Sequence, residues 1–209
     1  MKLIKYNKYL SVNSSHNWLD DIVLSIIKKI GCKDIIDIGC GNGNFASKLK
    51  KSGFNVCGID PESSGIEIAK NKFPDISFYE YSVYDDPKVL DFEKVDLITS
   101  LEVIEHLFLP RKLLVFSKYL LKPNGKIIIS TPYYGSYIKN LICSLFNKWD
   151  DQFTALWDGG HIKFWSLNTL RKLFEKENFN VVFYKTCNRK SFFLNKIWPN
   201  NIIIIAEKK

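Results

Sequence analysis

The feature that most constrains the fold is a short apolar strand that runs directly into a glycine-rich loop and then a helix. Residues 34–38 (Asp-Ile-Ile-Asp-Ile) have the pattern of a buried strand, and residues 39–43 (Gly-Cys-Gly-Asn-Gly) follow at once. A helical pattern then continues to about Lys51. Open α/β sheets bind ligands at the carboxyl ends of their strands, where glycines let a ligand approach the backbone. The segment therefore predicts an α/β sheet with a ligand site at this loop.

Helix and strand patterns alternate along the whole chain. Further strands are predicted at residues 55–59, 76–81, 95–99, 126–130, 181–185 and 202–206, and further helices at residues 15–30, 63–72, 110–121 and 167–176. This alternation predicts a doubly wound, seven-stranded, mostly parallel sheet with helices on both faces. The final strand follows a non-helical connection, so we expect it to be antiparallel, because a parallel return needs a long crossover.

Length and cysteine content indicate one cytoplasmic domain. The 209 residues are enough for one domain with a full core, so we expect a single domain over residues 1–209. We expect neither a transmembrane helix nor a signal peptide, because no apolar stretch has the length that either requires. The five cysteines are odd in number and lack C-x-x-C spacing, which indicates reduced thiols. These features predict a cytoplasmic protein.

The basic net charge does not by itself point to nucleic acid. Thirty basic and 22 acidic residues give a net charge of +8. The lysines are scattered singly and in pairs, without a basic run of five, which is typical of a solvated surface. We therefore expect a small-molecule partner rather than nucleic acid, and a monomer or homodimer.

Four sequence blocks occur in order at residues 37–43 (DIGCGNG), 58–61 (GIDP), 102–107 (EVIEHL) and 121–126 (LKPNGK). The loop reads G-x-G-x-G and departs from the G-x-G-x-x-G pattern of dinucleotide-binding proteins. Together, the blocks resemble those of the class I S-adenosylmethionine (SAM)-dependent methyltransferases along residues 15–131. The resemblance implies their Rossmann-like fold and SAM as the cofactor.

The same resemblance implies a set of cofactor-binding residues. Asp37 would orient the glycine loop and bind near the amino group of SAM, Asp60 would bind the ribose, and Pro61 would pack on the adenine. The remaining implied residues are Gly39, Cys40 and Gly41 beneath the methionine portion, Ser82 and Val83 near the adenine, and Ser100 and Leu101 near the methionine. Family members commonly carry an acid at the position of Ser82, so the partner of the adenine amine stays open.

An acidic and histidine cluster is predicted after the fourth strand. Glu102, Glu105 and His106 have i, i+3, i+4 spacing and would share one face of a helix, while His161 lies in a later Gly-Gly-His segment. Here the chain is similar to O-methyltransferases of quinone biosynthesis and to methyltransferases of sugar and lipid modification. The similarity implies His161, His106 and Glu102 as catalytic residues. Small-RNA 2′-O-methyltransferases hold a divalent metal with the four matching residues, but a stabilised helix start and structural histidines explain the pattern too. We therefore assign no metal.

Residues 133–165 form an insertion after the fifth strand. Apolar residues recur at helical spacing from Tyr137 to Trp149, with polar residues on the other face. We expect this amphipathic helix and the N-terminal helix at residues 15–30 to form a lid and the acceptor pocket. Peripheral contact with a membrane surface and a dimer face are the alternatives. The aromatic residues predicted to line the pocket are Tyr133, Tyr134, Phe153, Trp157, Phe164 and Trp165.

These observations predict an enzyme that transfers a methyl group from SAM to an acceptor oxygen of a small aromatic, sugar or lipid-linked molecule. Two alternatives stay open. One is a metal-dependent RNA 2′-O-methyltransferase, and the other is a non-catalytic SAM-binding or interaction protein.

Overall fold

The computed structural model describes residues 17–149, 153, 160–190, 195 and 197–209, and its contacts divide the chain into two units. The first unit is Met1–Ser82 and the second is Val83–Lys209. None of the helices in the described ranges combines the length and apolar content that crossing a bilayer requires.

In the first unit, three parallel strands alternate with helices. β1 pairs with β2, and β2 pairs with β3, so the strand order is β3-β2-β1. Each parallel return is made through a helix, as a parallel pair requires. The elements are α1 (Asn17–Ile27), β1 (Asp34–Ile38), α2 (Asn44–Lys51), β2 (Asn55–Asp60), α3 (Ser63–Lys72) and β3 (Ser77–Glu80).

A glycine in β2 allows close packing in the core of the first unit. Gly58 lies opposite Phe78 of β3 in the parallel register. A Cβ atom at Gly58 would lie 2.6 Å from Cδ1 of Phe78 and 2.7 Å from the Sγ of Cys40. Both distances are shorter than any van der Waals contact, so these two side chains occupy the space that any larger residue would need.

The second unit contains the four remaining strands and three α-helices of its described residues. Two 3₁₀ turns, Pro87–Val89 and Ile104–His106, lie in its connections. The regular elements are β4 (Val95–Leu101), α4 (Arg111–Leu120), β5 (Leu121–Pro132), α5 (Tyr137–Leu145), α6 (Leu167–Lys176), β6 (Phe179–Cys187) and β7 (Asn201–Lys208).

The last strand lies between two earlier strands of the second unit. β4 and β5 are parallel, and β7 is antiparallel to both β5 and β6, which gives the order β4-β5-β7-β6. The run Ile202–Ile205 of β7 is buried, as expected for a strand covered on both faces. The predicted antiparallel final strand is therefore confirmed.

Most predicted elements are present, with boundaries that differ in places. The helices at residues 63–72 and 167–176 have the predicted bounds, and α6 begins with a capping box between Ser166 and Thr169. β5 begins at Leu121 instead of residue 126, so the Pro-Asn-Gly segment lies within the strand. α1 is shorter than the predicted 15–30, and residue 15 lies outside the described residues.

The helix of the insertion has the predicted amphipathic pattern but an exposed apolar face. α5 buries Cys143, whereas Tyr137, Leu141 and Leu145 are exposed, with Tyr137 at 79%. The predicted lid role and the single domain over residues 1–209 stay predictions.

Candidate active site

The glycine loop of the first unit is held against the end of β2. Gly39 and Cys40 donate backbone hydrogen bonds to the carbonyl oxygen of Ile59, at 2.7 and 3.1 Å. Gly39, Gly41 and Gly43 have positive φ angles of 79°, 53° and 76°, a region that residues with a Cβ atom rarely adopt. The three glycines are therefore required by the loop conformation.

The carboxylate of Asp60 ties this loop to the start of α3. Its Oδ2 accepts the backbone N–H of Gly41 at 2.9 Å, and its Oδ1 accepts that of Glu62 at 2.8 Å. Burial raises the pKa of Asp60, and these two hydrogen bonds oppose the rise. Each carboxylate oxygen has two lone pairs, so both keep capacity for a further donor such as a ribose hydroxyl.

Cys40 contributes backbone and packing, not thiol chemistry. Its side chain is buried with Ile66, Ala69 and Phe78 beneath the loop. Burial, followed by the charges of Asp37 and Asp60, raises the pKa of the Cys40 thiol, so it stays protonated. A buried protonated thiol is a poor nucleophile.

The predicted cofactor-binding residues are divided between the two units. In the first, Asp37 is buried next to the loop, Pro61 is exposed and Ser82 is half-buried. In the second, Val83 and Ser100 are buried and Leu101 is half-buried. The buried Ser100 hydroxyl has no hydrogen-bond partner among the described residues.

The polar groups of the first unit fit SAM, the cofactor that the sequence resemblance implies. SAM carries an ammonium group and ribose hydroxyls, which are hydrogen-bond donors, and the loop is bordered by the buried carboxyl groups of Asp37 and Asp60. The positive-φ glycines keep side chains off the loop. Acceptors and an open backbone are what such a ligand needs.

In the second unit, the acidic residues after β4 do not share one helical face. Glu102 has φ 57° and lies outside the 3₁₀ turn Ile104–His106. The predicted i, i+3, i+4 arrangement is therefore wrong, because a left-handed residue turns the chain before the helical turn begins.

Glu102 is fixed by two polar neighbours instead. Ser130 Oγ donates to its Oε1 at 2.8 Å, and Asn201 Nδ2 donates to its Oε2 at 2.7 Å. Burial raises the pKa of Glu102 to about 7, while the two hydrogen bonds lower it. Glu102 therefore changes protonation state near neutral pH.

Glu105 is a fully buried carboxyl group beside His161. Thr131 Oγ1 donates to its Oε2 at 3.0 Å, and its Oε1 has no hydrogen-bond partner among the described residues. That Oε1 lies 4.0 Å from Nε2 of His161. Burial and the neighbouring Glu102 raise the pKa of Glu105 well above its ordinary value, which favours the neutral acid.

The turn carrying Glu105 also positions residues 161–163 of the insertion. The backbone oxygen of Glu105 accepts the N–H groups of Ile162 and Lys163, each at 3.0 Å. These bonds hold His161 next to the 3₁₀ turn, with the rings of His106 and His161 5.1 Å apart in an edge-on arrangement. The structure thus brings together the histidines that the sequence placed 55 positions apart.

Three of the four residues considered for a metal lie together. Ligand atoms of Glu105, His106 and His161 lie within 4.8 Å of one another, a donor set that a divalent ion accepts. Glu102 does not belong to this group, since its carboxylate is bound by Ser130 and Asn201.

Aromatic rings border the histidines. Tyr134 Oη lies 3.0 Å from Nδ1 of His161, and the Tyr134 ring packs on Phe153 and edge-on against Phe164. Burial, then Glu105 and Glu102, raise the pKa of Tyr134 to about 12, so the phenol stays protonated. Trp149 extends the stack on Phe153. Of the other residues predicted to line the pocket, Trp157 lies outside the described residues.

Sequence reasoning missed three polar residues of this site. Ser130 and Thr131 follow the apolar run of β5, and that change from apolar to polar at a strand's carboxyl end was an available signal. Asn201 begins β7, 99 residues after the Glu102 that it binds, and no local pattern connects them.

Comparison with known proteins agrees with this fold. The methyltransferase-domain family matches residues 16–183. Among solved structures, a SAM-dependent methyltransferase from Archaeoglobus fulgidus superposes with a TM-score of 0.68 at 21% identity, covering 91% of this chain and 93% of that one. The magnesium protoporphyrin IX methyltransferase of Synechocystis, solved with bound S-adenosylhomocysteine, gives 0.64 at 16% identity, covering 93% and 83%.

The fold is therefore the predicted doubly wound, mostly parallel, seven-stranded Rossmann-like fold of these enzymes. With most of its length matched, the chain belongs to the methyltransferase-domain family, and the predicted resemblance to class I SAM-dependent methyltransferases is confirmed.

Curated relatives match a shorter region. The ubiquinone biosynthesis O-methyltransferase of Coxiella burnetii (strain RSA 493 / Nine Mile phase I) is 34% identical over 101 residues, which are 47% of this chain and 43% of that protein. The enzyme of the same name from Pasteurella multocida is 32% identical over 111 residues, 47% and 46% of the two chains. The chain thus spans less than half the length of the curated relatives it matches.

Proposed function

We propose that this protein transfers a methyl group from SAM to an acceptor oxygen of a small molecule, most specifically a phenolic hydroxyl. The observation that carries the proposal is the pair of atoms His161 Nε2 and Glu105 Oε1. They lie 4.0 Å apart, and Oε1 has no hydrogen-bond partner among the described residues. Two hydrogen bonds of about 2.8 Å span that separation, so one acceptor hydroxyl is able to contact both atoms.

The donor is assigned to the glycine loop and its neighbours. Asp37 and Asp60 would take the ammonium and ribose groups of SAM, with Pro61, Ser82 and Val83 at the adenine. The loop residues Gly39, Cys40 and Gly41 would lie along the methionine portion, together with Ser100 and Leu101. When bound, SAM supplies a methyl group activated by its positive sulfur.

His161 is the proposed general base. If Nδ1–H donates to Tyr134 Oη, then Nε2 keeps its lone pair and accepts the proton of the acceptor hydroxyl. Glu105, favoured as the neutral acid, would donate to the same oxygen and orient it. General base catalysis typically contributes about 100-fold or more, and orientation contributes further.

His106 and Glu102 have supporting roles in this proposal. His106 packs against His161 and limits its rotation. Glu102 raises the pKa of Glu105 and thereby keeps it protonated. Both residues therefore act through the residues that contact the acceptor.

The aromatic rings support a planar acceptor. Tyr134, Phe153 and Phe164 lie in mutual contact beside His161, and Phe164 is 48% exposed. Stacked and edge-on ring pairs favour aromatic ligands over sugars. The ubiquinone biosynthesis O-methyltransferases match less than half of this chain, and their name points to O-methylation as well.

A metal-dependent reaction on an RNA 2′-hydroxyl is the second candidate. The grouping of Glu105, His106 and His161 favours it, because a divalent ion there would acidify a hydroxyl without a base. A third candidate, a SAM-binding protein without catalytic activity, would bind the cofactor but methylate no acceptor.

Calorimetric titration with S-adenosylhomocysteine and NADH tests the cofactor first. We expect micromolar binding of the former and none of the latter. Acceptor assays then compare catechols, sugars and a short RNA, each with and without Mg²⁺. Methylation of a catechol without metal supports the proposal, and methylation of only the RNA, with metal, contradicts it.

A further inference from the structure

A basic groove lies in the second unit, away from the acidic and histidine cluster. It has a volume of about 490 Å³, and four lysines with Tyr119 and Asp86 contribute to its lining. These lysines, here called the groove lysines, are Lys88, Lys94, Lys118 and Lys208.

The strand register places the groove at the opposite end of the sheet from the candidate active site. Lys94 directly precedes β4, and Glu102 directly follows it. β4 has seven residues, so at roughly 3.3 Å per residue the two ends are about 23 Å apart. Lys208 ends β7, whereas Asn201, which binds Glu102, begins it. The groove is therefore a separate feature.

Three of the groove lysines, Lys94, Lys118 and Lys208, repel one another. Partial burial lowers the pKa of Lys208, and the positive charges of Lys94 and Lys118 lower it further. Among the described residues, none of the four ammonium groups forms an ion pair, although Lys208 donates to the backbone oxygen of Leu121 at 2.8 Å. Nearby lysines differ, because Lys122 pairs with Asp96 and Lys126 pairs with Glu207. An anion in the groove would relieve this repulsion.

We propose that this groove binds a small polyphosphate anion, such as the phosphate chain of a nucleoside triphosphate. Its volume lies within the range of small-ligand sites, roughly 300–1,000 Å³. The positive charges of Lys94, Lys118 and Lys208 act on one another at this groove and would match the adjacent negative charges of a phosphate chain. The Tyr119 ring, 41% exposed, offers a surface on which a base can stack. The small volume of the groove favours a compact anion over a nucleic-acid polymer.

The test is calorimetric titration of the full chain with ATP, inorganic tripolyphosphate and adenosine, at saturating S-adenosylhomocysteine so that the proposed cofactor site is filled. We expect ATP and tripolyphosphate to bind and adenosine not to bind. The double variant Lys94→Gln/Lys118→Gln should weaken ATP binding by at least about tenfold. The double variant Lys172→Gln/Lys176→Gln on α6 removes the same charge elsewhere and should leave binding unchanged. Circular dichroism verifies that both variants fold.

The contribution of Tyr119 to binding distinguishes a nucleotide ligand from a simple polyphosphate. A nucleotide ligand predicts that ATP binds more tightly than tripolyphosphate and that Tyr119→Ala removes the difference. Equal affinities would indicate that phosphate alone is recognised. The proposal is overturned if neither phosphate compound binds, if both double variants bind alike, or if only a long RNA competes for the lysines.

Discussion

Nδ1 of His161 and the phenol oxygen of Tyr134 lie 3.0 Å apart, so a residue of the insertion orients the histidine proposed as base. The proposed base role requires the tautomer in which Nδ1 carries the proton and donates it to Tyr134 Oη. If Tyr134 accepts from Nδ1–H, Nε2 is the unprotonated nitrogen that takes the proton of an acceptor, and loss of Tyr134 Oη lets both tautomers form.

Substitution of the histidine should therefore remove most of the rate. We expect His161→Gln to lower kcat by about 100-fold or more, with little change in S-adenosylhomocysteine affinity. Tyr134→Phe keeps the ring and should lower kcat by a smaller factor, on the order of tenfold, as the wrong tautomer becomes populated. Steady-state kinetics with a catechol as methyl acceptor measure both. Equal rates for His161→Gln and the native protein would exclude the base role.

Removal of metal ions by a chelator distinguishes catalysis by a general base from metal-dependent catalysis. If His161 Nε2 takes the proton, EDTA should leave the rate unchanged, since no step requires an ion. If Glu105, His106 and His161 instead hold a metal, EDTA should abolish activity, and Mg²⁺ or Mn²⁺ should restore it. Assays in chelator-treated buffer, with Ca²⁺ as a non-restoring control, distinguish the two chemistries.

Asp60 should matter for both loop structure and cofactor affinity. Asp60→Ala removes the acceptor for the Gly41 and Glu62 N–H groups and the proposed ribose contact, so we expect S-adenosylhomocysteine binding to weaken by about 1.5–3 kcal/mol. Asp34→Ala is the matched control. Asp34 begins β1, at the end of the strand away from the glycine loop, so this variant should leave affinity unchanged. Calorimetry measures both variants, and an unaltered affinity for Asp60→Ala would remove the ribose assignment.

The raised pKa of Glu102, about 7 in the folded protein, predicts a pH dependence of stability. Its ordinary value is 4.5, so between these values the folded state binds more protons than the unfolded state. Stability from this group is thus fully present below about pH 4.5 and is lost as the pH rises through about 7.

Glu102→Gln stays neutral and should escape this loss. We expect the Tm of the variant, relative to the native protein, to increase from pH 5 to about pH 7 and to level off at higher pH. Glu207→Gln, at the surface ion pair with Lys126, is the control and should show no such trend. Thermal unfolding at a series of pH values gives the comparison. A difference between Glu102→Gln and native protein that is constant with pH would contradict the assignment.

Gly58 should tolerate no side chain. A Cβ atom there would lie 2.6 Å from the Phe78 ring and 2.7 Å from the Cys40 sulfur, so Gly58→Ala should destabilise the fold by about 1–3 kcal/mol. Phe78→Leu in the same chain makes room and should recover part of that loss, whereas independent effects would simply add. Urea unfolding of the two single variants and the double variant measures the coupling.

The regular elements were predictable because their patterns are local. The buried isoleucines of β1 and β7 and the periodic apolar residues of α6 specify strand or helix within a few positions. The order of the strands in the sheet was not predictable. Only the antiparallel direction of the last strand, β7, followed from the non-helical connection before it. Long-range pairing depends on the whole chain.

The candidate site was predictable in residue type and less so in geometry. Glu102, His106 and His161 were identified from their blocks, yet the left-handed φ of Glu102 has no local signal, since glutamate rarely adopts it. Its partner Asn201 is distant in sequence, so only tertiary contact shows that Glu102 is held apart from the histidines.

The position of β7 between β5 and β6 has a consequence for the order of folding. During synthesis from the amino terminus, β6 leaves the ribosome before the strand that joins it to the sheet exists. Both β5 and β6 must wait for β7 before they pair with it, and the β5–β7 contacts join residues far apart in sequence, which slows folding. Because Asn201 arrives with β7, the partner that fixes Glu102 is also the last to be added. A nascent chain therefore gains its completed acidic site only after β7 has been synthesised.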